Sequence, residues 1–206
     1  YSLVEETRPG EYMPVVENER GTYIYNSKDL CMINHIPDLI NAGIFSFKIE
    51  GRMKTPFYVG TVVKAYREAI DDYLKDPNLY SRKLAYYIEE VSKASHRDYT
   101  TAFYYGKPDG NQQVYTNNSY IREYDFIGMI EKDYDPDTGC AVVMQRNKFS
   151  VGDKIEVMPA KGTSWEMTVE NMWNEDGVPI ETAPHPQQIL KVKFPKPVKK
   201  FDMLRK

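Results

Sequence analysis

Cysteine is nearly missing from this sequence. Cys31 and Cys140 are the two present, and they lie far apart. That spacing excludes a disulfide framework and fits a reducing compartment. No apolar run approaches the length needed to cross a bilayer, and no secretory signal pattern is visible. The expectation is therefore a cytoplasmic chain with no membrane contact. Neither sign of charge dominates: 27 Lys and Arg stand against 30 Asp and Glu, a net charge of −3. A global polyanion-binding field is excluded, so any nucleic-acid contact must come from a local patch. No His-Glu-x-x-His pattern is present, no serine sits in a nucleophile elbow, and His35, His96 and His185 stand in unrelated contexts. Each histidine is expected at the surface. The chain opens Tyr1-Ser2-Leu3 without Met, so a piece of a longer polypeptide, lacking an N-terminal part, is expected.

Tyrosine, by contrast, is abundant, with 17 residues among 206. It points to half-buried positions where a ring packs and its hydroxyl finds a partner. The length allows one or two domains. Thr22-Tyr23-Ile24-Tyr25 reads as a short strand. A helix over 27–35, capped by Asn26 or Ser27, would carry Leu30, Cys31 and Ile33, restart at Pro37 and stop at Gly43. The clearest element is a helix over 56–74, with Val59, Val62, Val63, Tyr66, Ala69, Ile70 and Tyr73 on one stripe. A further helix is expected over about 80–93.

Between the first helix and the long one, residues 44–50 alternate: Phe45, Phe47 and Ile49 face one way, Ser46, Lys48 and Glu50 the other. A strand that ends at Gly51 and leads into a helix is a β-to-α junction, and ligands bind at the carboxyl ends of such strands. Lys48 and Arg52 beside Glu50 suit an anionic small molecule or a phosphate, with Glu50 relaying protons or holding either cation. The plainer alternative is that Lys48 and Glu50 pair with neighbours while Gly51 turns the chain. Strand, helix, strand, helix over 22–74 is the repeat of a parallel sheet or barrel.

Residues 96–119 are rich in Gly, Pro, Asn, Gln and Tyr and read as a linker. Beyond it the period changes to two. Short strands near 126–130, 141–144, 154–157, 166–169 and 189–194 alternate with turn signals such as Asp135-Pro136-Asp137-Thr138-Gly139. That pattern predicts a small antiparallel β-barrel over 120–206. The tail holds Lys191, Lys193, Lys196, Lys199, Lys200, Arg205 and Lys206 against a single acid, Asp202. It reads either as a basic RNA-facing strip, with Lys191, Lys193, Lys199 and Lys200 on the nucleic acid, or as a lysine-protected sheet edge.

Three strings carry a family resemblance: Leu3-Val4-Glu5-Glu6 with Arg8-Pro9-Gly10-Glu11-Tyr12, Asn26-Ser27-Lys28-Asp29-Leu30-Cys31, and Lys48-Ile49-Glu50-Gly51-Arg52-Met53-Lys54. Residues 1–74 resemble the C-terminal part of the catalytic domain of peptidase family U32, the collagenase-like proteins. Residues 101–108 resemble that family's linker, and 120–206 its accessory β-barrel. The resemblance implies residues 1–95 as the C-terminal part of a TIM-like (β/α) barrel, then the 96–119 linker. The family includes enzymes that hydroxylate tRNA uridine or ribosomal-RNA cytidine, so membership does not by itself imply proteolysis. It implies an iron–sulfur (4Fe–4S) cluster held by four cysteines in the full-length parent, with Cys31 as one metal ligand. No cluster is expected on this chain alone, because the other cysteines would lie upstream. Lys48, Glu50 and Arg52 become catalytic candidates, and Arg8 a weaker substrate-binding one. The leading expectation is a tRNA uridine 5-hydroxylation enzyme using prephenate as co-substrate, with this part inactive alone. The alternatives are a collagenase-like peptidase and a non-catalytic RNA- or protein-binding module.

Overall fold

The computed structural model describes residues 1–19, 21–24, 26–107, 112–114 and 120–206. The chain divides into two compact units, Tyr1–Ile49 with Ala65–Arg122, and Glu50–Lys64 with Glu123–Lys206.

The first unit opens with two antiparallel hairpins, β1 (Ser2–Val4) on β2 (Tyr12–Pro14) and β3 (Val16–Asn18) on β4 (Gly21–Tyr23). Tyr25, expected at the end of the last strand, lies outside the described residues. Next come β5 (Asp29–Leu30), a 3-10 turn (Ile33–His35) and α1 (Ile36–Asn41), then α2 (Pro56–Lys75), α3 (Pro77–Ser92) and β6 (Tyr99–Thr100). β5 and β6 pair in parallel.

Two expectations fail here. The helix over 27–35 is replaced by β5 and the 3-10 turn. The Asp29 and Cys31 N–H groups donate to the Asp98 and Thr100 carbonyls, both at 2.9 Å, and those bonds hold the backbone extended. Residues 44–50 form no strand. A strand needs a ladder partner for its backbone groups, and none of the described strands pairs with this segment. Phe45 is fully exposed. The long helix stands as expected. Thr55 Oγ1 accepts from the Tyr58 N–H at 3.2 Å, and Pro56 takes the first helical position, where its missing N–H costs nothing. α3 starts earlier than 80, because Asp76 caps it by accepting from the Asn78 N–H at 2.9 Å, with Pro77 following.

Ile33, Ile36, Ala65, Ala69, Tyr80, Tyr87 and Val91 form the core of the first unit. Ala65 and Ala69 let α2 approach closely, and the tyrosines fill the space left. Tyr80 stacks on Tyr87 with centroids 5.8 Å apart and donates to the Ile33 carbonyl at 2.8 Å. The buried rings thus keep their hydroxyls satisfied.

The second unit is a curled, antiparallel, seven-stranded half-barrel sheet. Its elements are β7 (Phe126–Asp135), β8 (Cys140–Gln145), β9 (Phe149–Ser150), β10 (Lys154–Met158), β11 (Trp165–Thr168), β12 (Met172–Trp173), β13 (Thr182–Ala183), β14 (Ile189–Lys193) and β15 (Met203–Arg205). The order is β11-β10-β15-β7-β8-β14-β12, with β9 and β13 paired separately. The sheet is open, with β11 and β12 as edges, where the periodicity predicted a barrel. Ile130, Val143, Phe149, Val157, Leu190, Val192 and Leu204 are among the side chains filling its concave core. Gly139, at φ +70°, closes the β7–β8 turn, and the Asp135 carboxylate accepts from Thr138 Oγ1 at 2.8 Å and the Asp137 N–H at 3.0 Å. Residues 56–64 of α2 also belong to this unit. Phe57 stacks on Phe126 at 5.4 Å, and Lys64 Nζ donates to the Gly162 carbonyl at 2.6 Å.

Candidate functional site

The Lys48-Ile49-Glu50-Gly51-Arg52 string is a turn. Glu50 Oε1 accepts from the Arg52 N–H at 2.9 Å, and the Lys54 N–H donates to the Gly51 carbonyl at 3.0 Å. A Cβ on Gly51 would come within 2.8 Å of Val59 Cγ2, so the turn needs glycine. Lys48 and Glu50 are exposed. Glu50 and Arg52 are brought together by this local bond and belong to the second unit, whereas Lys48 belongs to the first.

Cys31 follows β5 and is half-buried. Tyr66, on α2, donates its hydroxyl to the Cys31 sulfur at 3.8 Å and accepts from the Met32 N–H at 2.8 Å. Burial pushes the Cys31 thiol up, more than its bonds to Ile33 and Tyr66 lower it. Burial likewise holds the Tyr66 phenol far above its ordinary value. Both groups are protonated and neutral near pH 7. An iron–sulfur cluster needs four thiolates, and among the described residues no group of three or more His, Cys, Asp or Glu is placed to hold a metal. These residues do not fit a cluster on their own. Cys140 is buried behind the β7–β8 turn, its thiol 3.5 Å from the Thr138 carbonyl.

Arg8 lies in the turn between β1 and β2 and pairs with Glu5, with Glu11 at 3.9 Å. Thr7 and Arg8, bonding to the exposed Glu5 carboxylate, hold it below its ordinary range.

The tail divides. Lys191 and Lys193 stand exposed on β14 while Leu190 and Val192 enter the core. Lys199 and Lys200 are exposed; their N–H groups donate to Asp202 at 2.8 Å and Asp133 at 2.6 Å. Arg205 is no part of a basic strip. It is fully buried, donating to Glu156 at 2.7 Å beside Met158 Sδ at 3.6 Å. Phe194, which follows Lys193, is also buried. Lys206 pairs with Asp153 at 2.7 Å, and Lys196 lies 4.1 Å from the Trp165 ring centroid.

Sequence reasoning missed one cluster. The Tyr105 hydroxyl meets both Asp38 and His35 Nδ1, the latter at 2.8 Å, and His35 Nδ1 lies 3.3 Å from Asp38. The bond to Asp38 raises the Tyr105 phenol to about 12. The three-residue spacing of His35 and Asp38 across Pro37 was the available signal; nothing local pointed to Tyr105. His96 also departs from expectation, being buried and stacked on Tyr99 at 4.3 Å.

Residues 1–114 match the family model described as Peptidase family U32, and residues 122–205 match the Peptidase family U32 C-terminal domain. The chain belongs to peptidase family U32. It is 40% identical over 188 residues to "tRNA hydroxylation protein P1" of Bacillus subtilis, covering 91% of this chain and 44% of that protein. It is 36% identical over 185 residues to "tRNA hydroxylation protein P" of Escherichia coli, covering 89% of this chain and 39% of that protein. Similarity extends to a "Collagenase" of Porphyromonas gingivalis, 27% identical over 142 residues, covering 69% of this chain and 38% of that protein. The chain thus spans less than half the length of these relatives. No helix among the described residues is long and apolar enough to cross a membrane.

Proposed function

We propose that this chain is the C-terminal part of a tRNA-modifying enzyme of the uridine 5-hydroxylation type, acting in the cytoplasm on tRNA with prephenate as co-substrate. The observation that carries this reading is the 40% identity to tRNA hydroxylation protein P1 across 91% of the chain. The first unit is read as a piece of a (β/α) barrel, the parallel β5–β6 pair with its intervening helices being one edge of the sheet. Cys31 is proposed as one thiolate of a cluster completed by residues outside this chain. When bound, such a cluster would supply redox or Lewis-acid chemistry. Glu50 positions the turn that presents Arg52, and Arg52 and Lys48 are each proposed to bind anionic carboxylate groups. Arg8, already engaged by Glu5, is a secondary candidate for binding an anion. Lys191, Lys193, Lys199 and Lys200 would meet RNA phosphates.

The test uses the complete polypeptide. Its gene is deleted from the host, and bulk tRNA nucleosides are analysed by mass spectrometry. Loss of 5-oxygenated uridines, restored by the intact gene but not by copies carrying Cys31→Ala or Arg52→Gln, is expected. Unaltered tRNA together with lost cleavage of denatured collagen would favour a peptidase, the reading suggested by the name of the Porphyromonas gingivalis relative. Unaltered tRNA and unaltered cleavage would leave the binding module.

A further inference from the structure

The two faces of the second unit's sheet differ in what they carry. Residues in register on antiparallel neighbours share a face, and successive residues alternate between faces. Leu204, Ile130, Val143 and Leu190 point into the core. On the opposite face, the register places Met203, Met129, Met144 and Ile189 in one row across β15, β7, β8 and β14. The next row runs Lys132, Val142, Lys191 and Trp173 across β7, β8, β14 and β12, the register of β7 shifting between Ile130 and Lys132 so that alternation is broken there and Lys132 comes opposite Val142.

Cover over this face is uneven. At one end Met203 lies under α2, its methyl group at 2.9 Å from where a Cβ on Gly60 would sit. Toward the β12 edge, Met129, Met144, Val142, Ile189 and Trp173 stay half-exposed, and Lys132 and Lys191 are exposed. Lys193 is exposed two residues further along β14. Asp135, on β7, is engaged by Thr138 and the Asp137 N–H in its own turn and also acts electrostatically on Lys191, and Glu166 and Glu170 lie beside Lys193. An indole in register with one ammonium and three strands from another is therefore set in a half-buried apolar floor.

An aromatic ring offers any base a stacking surface, while flanking ammonium groups meet the backbone phosphates. We infer that this face binds an unpaired stretch of RNA, with a base stacked on Trp173 and the phosphates along Lys191, Lys132 and Lys193. The inference rests on the RNA-modifying reading above and assigns to it a surface and a stacking residue. The charge on the face is what selects a polyanion over an apolar protein partner, which a methionine floor alone would equally suit.

The chain has two tryptophans, Trp165 and Trp173, so Trp165→Phe leaves Trp173 as the reporter. The full chain carrying this change is titrated at low salt with an end-labelled oligouridylate, following tryptophan emission and label anisotropy together. Quenching of Trp173 with the same midpoint as the anisotropy is expected. Trp173→Ala should weaken binding about tenfold, as loss of one stacked base does. Trp173→Phe, which keeps a ring and the packing, should weaken it less. Lys132→Gln with Lys191→Gln should reduce the slope of log K against log salt by about 0.7 for each lysine. RNA binding with Trp173 unquenched and Trp173→Ala unaffected would overturn this face and leave the RNA reading standing. Emission that shifts with protein concentration alone would overturn it in favour of a self-association surface. Absence of RNA binding by any variant, including the parent chain, would overturn the face and the RNA-binding reading of this chain together.

Discussion

Tyr66 links Cys31 to its own neighbour: its hydroxyl donates to the Cys31 sulfur at 3.8 Å and accepts from the buried Met32 N–H at 2.8 Å. The sulfur is a weak acceptor, so the bond that matters for stability is the one to Met32. Tyr66→Phe is expected to cost about 1–3 kcal/mol, because a buried donor loses its partner. Urea unfolding measures it. Cys31→Ala, which orphans no backbone group, should cost less; equal costs would show that the sulfur contact dominates.

The Arg205–Glu156 pair makes a sharper prediction. Arg205 is fully buried, and its guanidinium meets Glu156 at 2.7 Å and faces the Tyr124 ring at 5.5 Å. Arg205→Ala should destabilise by about 3 kcal/mol, through lost packing and a broken ion pair. Arg205→Met combined with Glu156→Gln should recover much of that loss, since an apolar side chain of similar length fills the space and the acid is neutralised. A double variant no more stable than Arg205→Ala would contradict this account.

Two glycines that look alike in sequence should behave differently. A Cβ on Gly128 would lie 2.9 Å from Val143 Cγ1 and 3.2 Å from the Met144 carbonyl oxygen, which the β8 ladder fixes. A Cβ on Gly60 would meet the flexible end of Met203 at 2.9 Å, while alanine favours the helix. Gly128→Ala is expected to cost about 1–3 kcal/mol. Gly60→Ala should stay within about 1 kcal/mol of the parent, the helix gain offsetting the shift of Met203. Thermal melts of the two variants provide the comparison.

Asp72 ties part of the first unit's stability to acid pH. Burial raises its carboxyl, but the Lys83 ammonium at 2.7 Å and the Tyr87 hydroxyl at 2.5 Å outweigh this and hold it below its ordinary value. The folded pKa is therefore lower than the unfolded one, near 3.9. The stabilisation is complete above the unfolded value and is lost as pH falls through the folded one. From about pH 5 down to about pH 2, the parent's stability should fall more steeply than that of Asp72→Asn. Parallel curves would show that Asp72 contributes nothing to the acid limb.

The helices were legible where cap and stripe agreed. Pro56 marked the start of α2, and the three-and-four spacing marked the buried sides of both helices, while the Asp76-Pro77 start of α3 was passed over and that helix was placed from about 80. Residues 44–50 were misread because alternation says which way side chains would point and not whether a neighbouring strand exists. Asn26, Leu30 and Ile33 have the spacing of a capped helix, yet carbonyls near residue 100 hold that backbone extended. Arg205 read as tail charge because its partner, Glu156, sits on a strand 49 residues earlier. Tyr105 had no local signal at all, meeting Asp38 from 67 residues away. The family was legible because its strings are local and long. The lysines of β14 were legible as charge, while their place beside Trp173 depended on strand register.

The opening turns of α2 also decide how this protein can be dissected. Phe57, Gly60 and Thr61 cover Phe126, Met203 and Met158, although residues 76–125 separate the helix from the first sheet strand. A recombinant piece cut at the start of the β-rich sequence would keep its concave interior but bare these three side chains. Excised that way, it should be stickier than the intact chain, and a graft of the helix's first nine residues would be the natural remedy.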